Sequence, residues 1–239
     1  MLYQCSLLIA LGKIINQIEA SLKSFLWNGG NNGGSKKYSL VSWKTVKLPR
    51  NEGGLQIRDL HYQNLAIGAK LLWNMLQSKP SWCSRALKAK YFPGPMMRCL
   101  EGENVKGKGS PIFRLCKKAL SQFIEKLFWI PGNGKSINYW KDPILGKIPP
   151  SLPCLQSWME ARDLTTLWSI SEWDESHPNR WLSWKLPDCP EGLEIEKRKL
   201  IDHLVGTAPI TKSLKDRRGW GNGSGIYTTS EGYNMYAAN

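Results

Sequence analysis

Apolar residues recur at three- and four-residue spacings in several stretches of this chain. Leu11, Ile14, Ile15, Ile18, Leu22, Phe25 and Leu26 do so within LGKIINQIEASLKSFLW, which predicts an amphipathic helix over residues 11–27. The helix ends at NGGNNGGSKK, where four glycines and three asparagines cannot sustain regular structure. The stretch YSLVSWKTVKLPRNEGGLQIRDL then reads as short extended pieces around a turn led by Ser42 and a second turn at Gly53-Gly54. Asp59 is placed to cap a helix running to about Gln77, with Leu65, Ala69, Leu72 and Leu76 on one face. After Pro80-Ser81, SWCSRALKAKYF predicts a short helix that stops at Pro93-Gly94-Pro95.

The clearest element is SPIFRLCKKALSQFIEKLFW. Ser110 suits an N-cap and Pro111 the first helical position. Ile112, Leu115, Ala119, Leu120, Phe123, Ile124, Leu127 and Phe128 form a wide apolar stripe, which Cys116 joins as a small core residue. Beyond residue 140 the pattern weakens, with prolines at 143, 149, 150 and 153 marking an irregular stretch. Helical pieces are expected near 155–168 and 194–206, and a last helix beginning at Thr229 or Ser230. Asn133-Gly134 suits a tight turn. The expected fold is mainly α: a helical N-terminal half, and an α+β C-terminal half with short β-hairpins near 128–141 and 218–228. The expected division is 1–130 and 131–239.

Charge sharpens that division. Residues 1–130 carry 20 Lys+Arg against 6 Asp+Glu, and residues 131–239 carry 13 against 13, so the whole net charge of +14 lies in the first part. A polyanion such as RNA or DNA is the partner class this favours. Lys36, Lys37, Lys44, Lys47 and Arg50 are the densest cluster, followed by Lys88 and Lys90 beside Trp82 and Tyr91. Their role would be contact with phosphates, which positions a nucleic acid without reading its sequence.

Other chemistry finds little support. Gly134-Lys135-Ser136 ends like a nucleotide-cradling loop, but that loop needs a glycine where this chain has Trp129. The residues before it also belong to a predicted helix rather than a strand, so it reads as a turn. The six cysteines form no C-x-x-C pair. His61, His177 and His203 are scattered, and His203 reads as a packed or surface residue on its helix. Asp142, Asp163, Asp174 and Asp216 form no paired-carboxylate motif. No metal site or cofactor is expected. The apolar run Cys5–Leu11 is too short to cross a bilayer, so no membrane association is expected. Reduced thiols suggest an intracellular setting.

SFLWNGG, SWKTVKLPRNEGGLQIRDLHYQNLAIGAKLLWNML, ALKAKYFP, FWIPGNGKSINYWKDP and DRRGWGNGSGIYTTSEGY occur in this order. Together they resemble the C-terminal part of plant non-LTR (LINE-type) retrotransposon reverse transcriptases, after the polymerase palm and before a terminal zinc-binding segment. The resemblance implies thumb-like helices and a connector that hold template RNA or target DNA. It also implies an RNase H domain, where present, beyond Asn239. The family's polymerase chemistry uses an Asp-Asp pair that this sequence lacks. A piece that is not itself an enzyme is therefore expected, retaining weak sequence-independent nucleic-acid binding. The alternative is a structural or interaction remnant, or a pseudogene product with no selected activity, whose exposed apolar helix faces invite self-association.

Overall fold

Eight helices and four short strands lie among the residues that the computed structural model describes, which are 12–28, 39–77, 80–92, 110–176, 181–205, 210–221 and 225–238. They belong to two units, Met1–Ile124 with Thr228–Asn239, and Glu125–Tyr227. The predominance of helix, with a minor β component, is the architecture that the hydrophobic periodicity implies.

In the first unit, α1 (Gly12–Asn28) buries Ile15. The Ser42 turn proves to be a short helix, α2 (Trp43–Lys47), because the Ser42 side chain accepts from the Thr45 amide. The turn at Gly53-Gly54 forms where Leu55 N–H donates to Val46 O and Gln56 N–H to Leu48 O. The flanking residues are not strands, since they bond back onto α2. Helix α3 (Leu60–Leu76) is capped by Asp59, whose carboxylate accepts from the His61 amide. It buries Ala66, Ala69, Leu72 and Met75. Helix α4 (Trp82–Tyr91) starts at the Ser81 cap.

Helix α5 (Pro111–Glu125) buries Phe113, Leu115, Cys116, Ala119 and Phe123. It ends earlier than its apolar stripe suggests, because Leu127 and Phe128 enter a strand instead. The last helix, α8 (Thr229–Ala237), packs on α3. Two tyrosines fix it there. Tyr233 Oη accepts from the Asp59 amide at 2.9 Å, and Tyr236 Oη donates to Ala119 O at 2.7 Å.

In the second unit, β1 (Leu127–Ile130) pairs antiparallel with β4 (Arg217–Trp220), with Phe128 opposite Gly219. Strands thus form at both places where hairpins are expected, but the two strands pair with each other. Among the described residues their local pairing is limited to Trp220 N–H on Gly225 O and to Trp129 with Pro143 and Leu145. A second ribbon joins β2 (Ser171–Trp173) to β3 (Trp181–Trp184). The core gathers Ile137, Tyr139, Ile144, Leu155, Met159 and Leu167 against Leu200 and Leu204. It is covered by α6 (Pro153–Glu160) and α7 (Glu194–Val205). Tyr139 Oη donates to Leu164 O inside this core, and burial raises its pKa. Residues 161–168, read as the end of a helix, instead turn at Asp163 and continue as a 3₁₀ turn, Leu167–Ile170, closed by a Thr166/Ser169 capping box.

Candidate nucleic-acid interface

Lys36 and Lys37 lie outside the described residues. Lys44 and Arg50 are exposed on and just after α2, and among the described residues neither pairs with a carboxylate. Lys47 differs. Its ammonium contacts Glu19 of α1 at 2.7 Å and Asp59 at 2.5 Å, with the side chains 18%, 12% and 19% exposed. Burial alone would lower the Lys47 pKa, but hydrogen bonds to Asp59 and Glu19 outweigh it and raise the value. The Asp59 carboxyl is held below its usual value, since the bonds from Lys47 and the His61 amide overcome the opposing effect of burial. Lys47 therefore ties three helices together with its charge already matched.

Lys88 and Lys90 sit on α4, half-buried and exposed respectively. The C-terminal end of this helix is fixed. Tyr91 stacks on Phe113 with centroids 4.5 Å apart, and its hydroxyl accepts from the Ser110 amide at 3.1 Å. The opposite side is open: Trp82, Cys83, Arg85, Ala86, Ala89 and Lys90 are all exposed, over an arc of about 160° at 3.6 residues per turn. Trp82 is 83% exposed, and the Arg85 guanidinium lies 3.7 Å from its ring centroid. The helix contains three cations and no carboxylate. The sequence marks Lys88 and Lys90, but it does not reveal that Arg85 covers Trp82. The i, i+3 spacing of the two residues is the signal that was available.

The turn at residues 132–136 is an anion cradle with its own anion. Gly132 and Gly134 amides donate to Asp216 Oδ1 and the Ser136 amide to Oδ2, each at 2.8 Å. Successive backbone N–H groups converging on one carboxylate form the kind of concavity that elsewhere takes phosphate. Gly134 has φ +72°, and a Cβ on Gly132 would meet the Lys215 carbonyl oxygen at 2.4 Å. Only one residue of the pair read as a tight turn has positive φ, and a strand, not a helix, precedes the loop. The loop is a ligand for Asp216 rather than a hairpin turn.

Beside the cradle, Lys135 lies 4.4 Å from the Trp168 centroid, while Lys212 is 4.6 Å from Trp173 and 6.0 Å from Trp168. The two indoles are 5.2 Å apart. The charge pattern does not mark these residues, because residues 131–239 have no net charge.

His203 is on α7, where burial and the charge of Lys147 lower its pKa and favour the neutral ring. His61 faces Asn16, and His177 lies outside the described residues. Among the described residues, no group of three or more His, Cys, Asp or Glu side chains is gathered as metal ligands, and no helix is long and apolar enough to cross a membrane.

Two curated proteins of Arabidopsis thaliana are similar to this chain. One, named "Putative ribonuclease H protein", is 34% identical over 130 residues, covering 54% of this chain and 20% of that protein. The other, named "Uncharacterized mitochondrial protein", is 33% identical over 95 residues, covering 38% of this chain and 60% of that protein. The chain therefore spans about a fifth of the first relative and three-fifths of the second. No family model matches the chain, and no solved structure does.

These names correct two expectations. Neither relative is named for a reverse transcriptase, so the assignment to the thumb and connector of such a polymerase is set aside. The expectation that the chain is not an enzyme is overturned as well, because one relative bears the name of a nuclease. That expectation rested on a missing Asp-Asp pair, which speaks to polymerisation alone and says nothing of cutting RNA.

Proposed function

We propose that this chain is a nucleic-acid-holding part of a protein of the ribonuclease H kind. Its similarity to part of a protein so named supports the reading, as does the placement of its surplus cations in residues 1–130. The observation that carries it is the open side of α4. An indole exposed to 83%, with a guanidinium stacked on it, offers a platform for an unpaired base, and aromatic stacking contributes about 1–3 kcal/mol per base. Lys90 follows about 12 Å further along the helix axis, in position to meet the backbone. Small Ala86 and Ala89 leave the approach clear. Lys44, Arg50 and Lys88 supply further phosphate contacts. An intracellular site of action fits the free thiols of Cys83, Cys116, Cys154 and Cys189.

The test is binding of single-stranded RNA, an RNA–DNA hybrid and duplex DNA at low and moderate salt. Retention of RNA that weakens steeply with salt is expected, together with about a tenfold loss in Trp82→Ala/Arg85→Gln. No retention at low salt would refute the reading.

A second reading concerns association between copies. On α1, Ile14, Leu22 and Phe25 are 45%, 39% and 68% exposed, an apolar stripe beside the side that buries Ile15. Sedimentation velocity should then show a dimer that Phe25→Ser dissolves. A monomer at all concentrations rejects it.

A further inference from the structure

We infer that Lys135 and Lys212, held over Trp168 and Trp173, form a phosphate-binding site in the half of the chain that has no net charge. The two lysines come from the 132–136 loop and the 211–216 segment, which are 77 positions apart in sequence (212 − 135). Backbone contacts hold these segments together. Thr211 N–H donates to Gly132 O at 2.6 Å, Trp168 N–H donates to Gly134 O at 3.0 Å, and Asp216 closes the loop from the other side. Both ammonium groups therefore start from fixed backbone, and indole faces limit their motion without neutralising them.

Among the described residues neither lysine pairs with a carboxylate. The acid nearest Lys212 in sequence, Asp216, directs both oxygens at three backbone amides, and the acid nearest Lys135, Asp142, accepts from the Asn138 amide. Lys135 is exposed, and Lys212, Trp168 and Trp173 are half-buried, so the site opens to solvent. Two unneutralised point charges above a partly desolvating aromatic floor suit a phosphate, for which lysine is a standard ligand. That phosphate is either a free ion or one link of a nucleic-acid backbone. For the second source the inference rests on the nucleic-acid reading above, to which it adds a contact distant in sequence from α4.

The test uses the full chain and two variants, Lys135→Gln/Lys212→Gln and Trp82→Ala/Arg85→Gln, each checked for an unchanged melting temperature. Anisotropy of a labelled single-stranded oligonucleotide is followed across a salt series, and inorganic phosphate is titrated separately while the Lys135 and Lys212 side-chain NMR signals are observed. If the site takes a backbone phosphate, the lysine variant binds more weakly. Its dependence of log affinity on log salt also becomes shallower by about 1.4, at about 0.7 per single-strand contact. If it takes free phosphate, those two signals shift on titration while the oligonucleotide slope stays the same. An unchanged slope with unmoved signals overturns the inference. An effect of the lysine variant with none from Trp82→Ala/Arg85→Gln overturns the α4 reading and leaves this site standing.

Discussion

Asp216 and Lys47 are both single charges committed to joining distant segments, and both are misread when only neighbours in sequence are considered. Asp216 accepts three amide hydrogen bonds from a loop about 80 residues earlier. From the sequence that loop reads as a turn, and its role as an anion cradle is hidden, because nothing local pairs it with the carboxylate that fills it. Asp216→Ala should lower the stability of the second unit by about 3 kcal/mol, since three donors to a charged acceptor lose their partner. Asp216→Asn, which keeps one acceptor oxygen, should lose about half as much in urea denaturation. Lys47, likewise, looks like a phosphate ligand until Glu19 and Asp59 are seen on either side of it. The Asp59 pKa is depressed in the folded state, so its contribution is present above the unfolded value, about 3.9. It is lost as pH falls through the lower folded value. The Lys47 pKa is raised, so its contribution holds at neutral pH and is lost only as alkaline pH passes the folded value. The fluorescence of Trp43, which lies beside Lys47, should therefore report loosening of this junction below about pH 4 in the wild type. In Asp59→Asn that transition should be absent, with the capping bond retained.

At the scale of elements, periodicity predicts helices well and strand partners poorly. Asp59, Ser81 and Ser110 mark helix starts through interactions with residues two or three positions away, so a short window of sequence contains the whole signal. Leu127–Ile130 continues an apolar stripe and looks helical from within. Its partner, Arg217–Trp220, lies about 90 residues on and removes it from the helix. That pairing depends on Gly219, which gives the Phe128 ring its place: a Cβ there would come within 2.4 Å of the ring. An aromatic residue covering a cross-strand glycine is a recurrent stabilising arrangement. Gly219→Ala should displace the buried Phe128 ring and destabilise the second unit by about 2 kcal/mol, the usual size of an overpacking defect. Cys116 reports on the first unit independently. It is 1% exposed and burial pushes its thiol pKa up to about 12. Under native conditions Ellman's reagent should modify exposed Cys83 and Cys154 quickly and Cys116 only as fast as the unit opens.

At the scale of the molecule, the chain leaves its first unit at Ile124 and re-enters it at Thr228. The re-entry is a single helix, and its aromatic residues meet groups far back in sequence: Tyr233 the Asp59 amide, Tyr236 the Ala119 carbonyl, with burial raising the Tyr236 pKa. A charge count along the chain cannot detect such a return, because α8 carries one charged residue and is held by packing on α3 and by the Tyr236 bond to Ala119 of α5. If the contacts of α8 are part of the first unit's core, removing residues 228–239 should cost that unit more than one large-to-small core substitution, about 4 kcal/mol. Hydrogen exchange on the truncated chain should show protection lost at the amides of Leu72, Met75 and Phe123. Amides of Tyr139, Leu155 and Leu200, whose core lies wholly within Glu125–Tyr227, should keep theirs. Equal loss in both sets would mean that the two units share one cooperative transition. Unchanged protection in the first set would mean that α8 only covers a core which α3 and α5 complete without it.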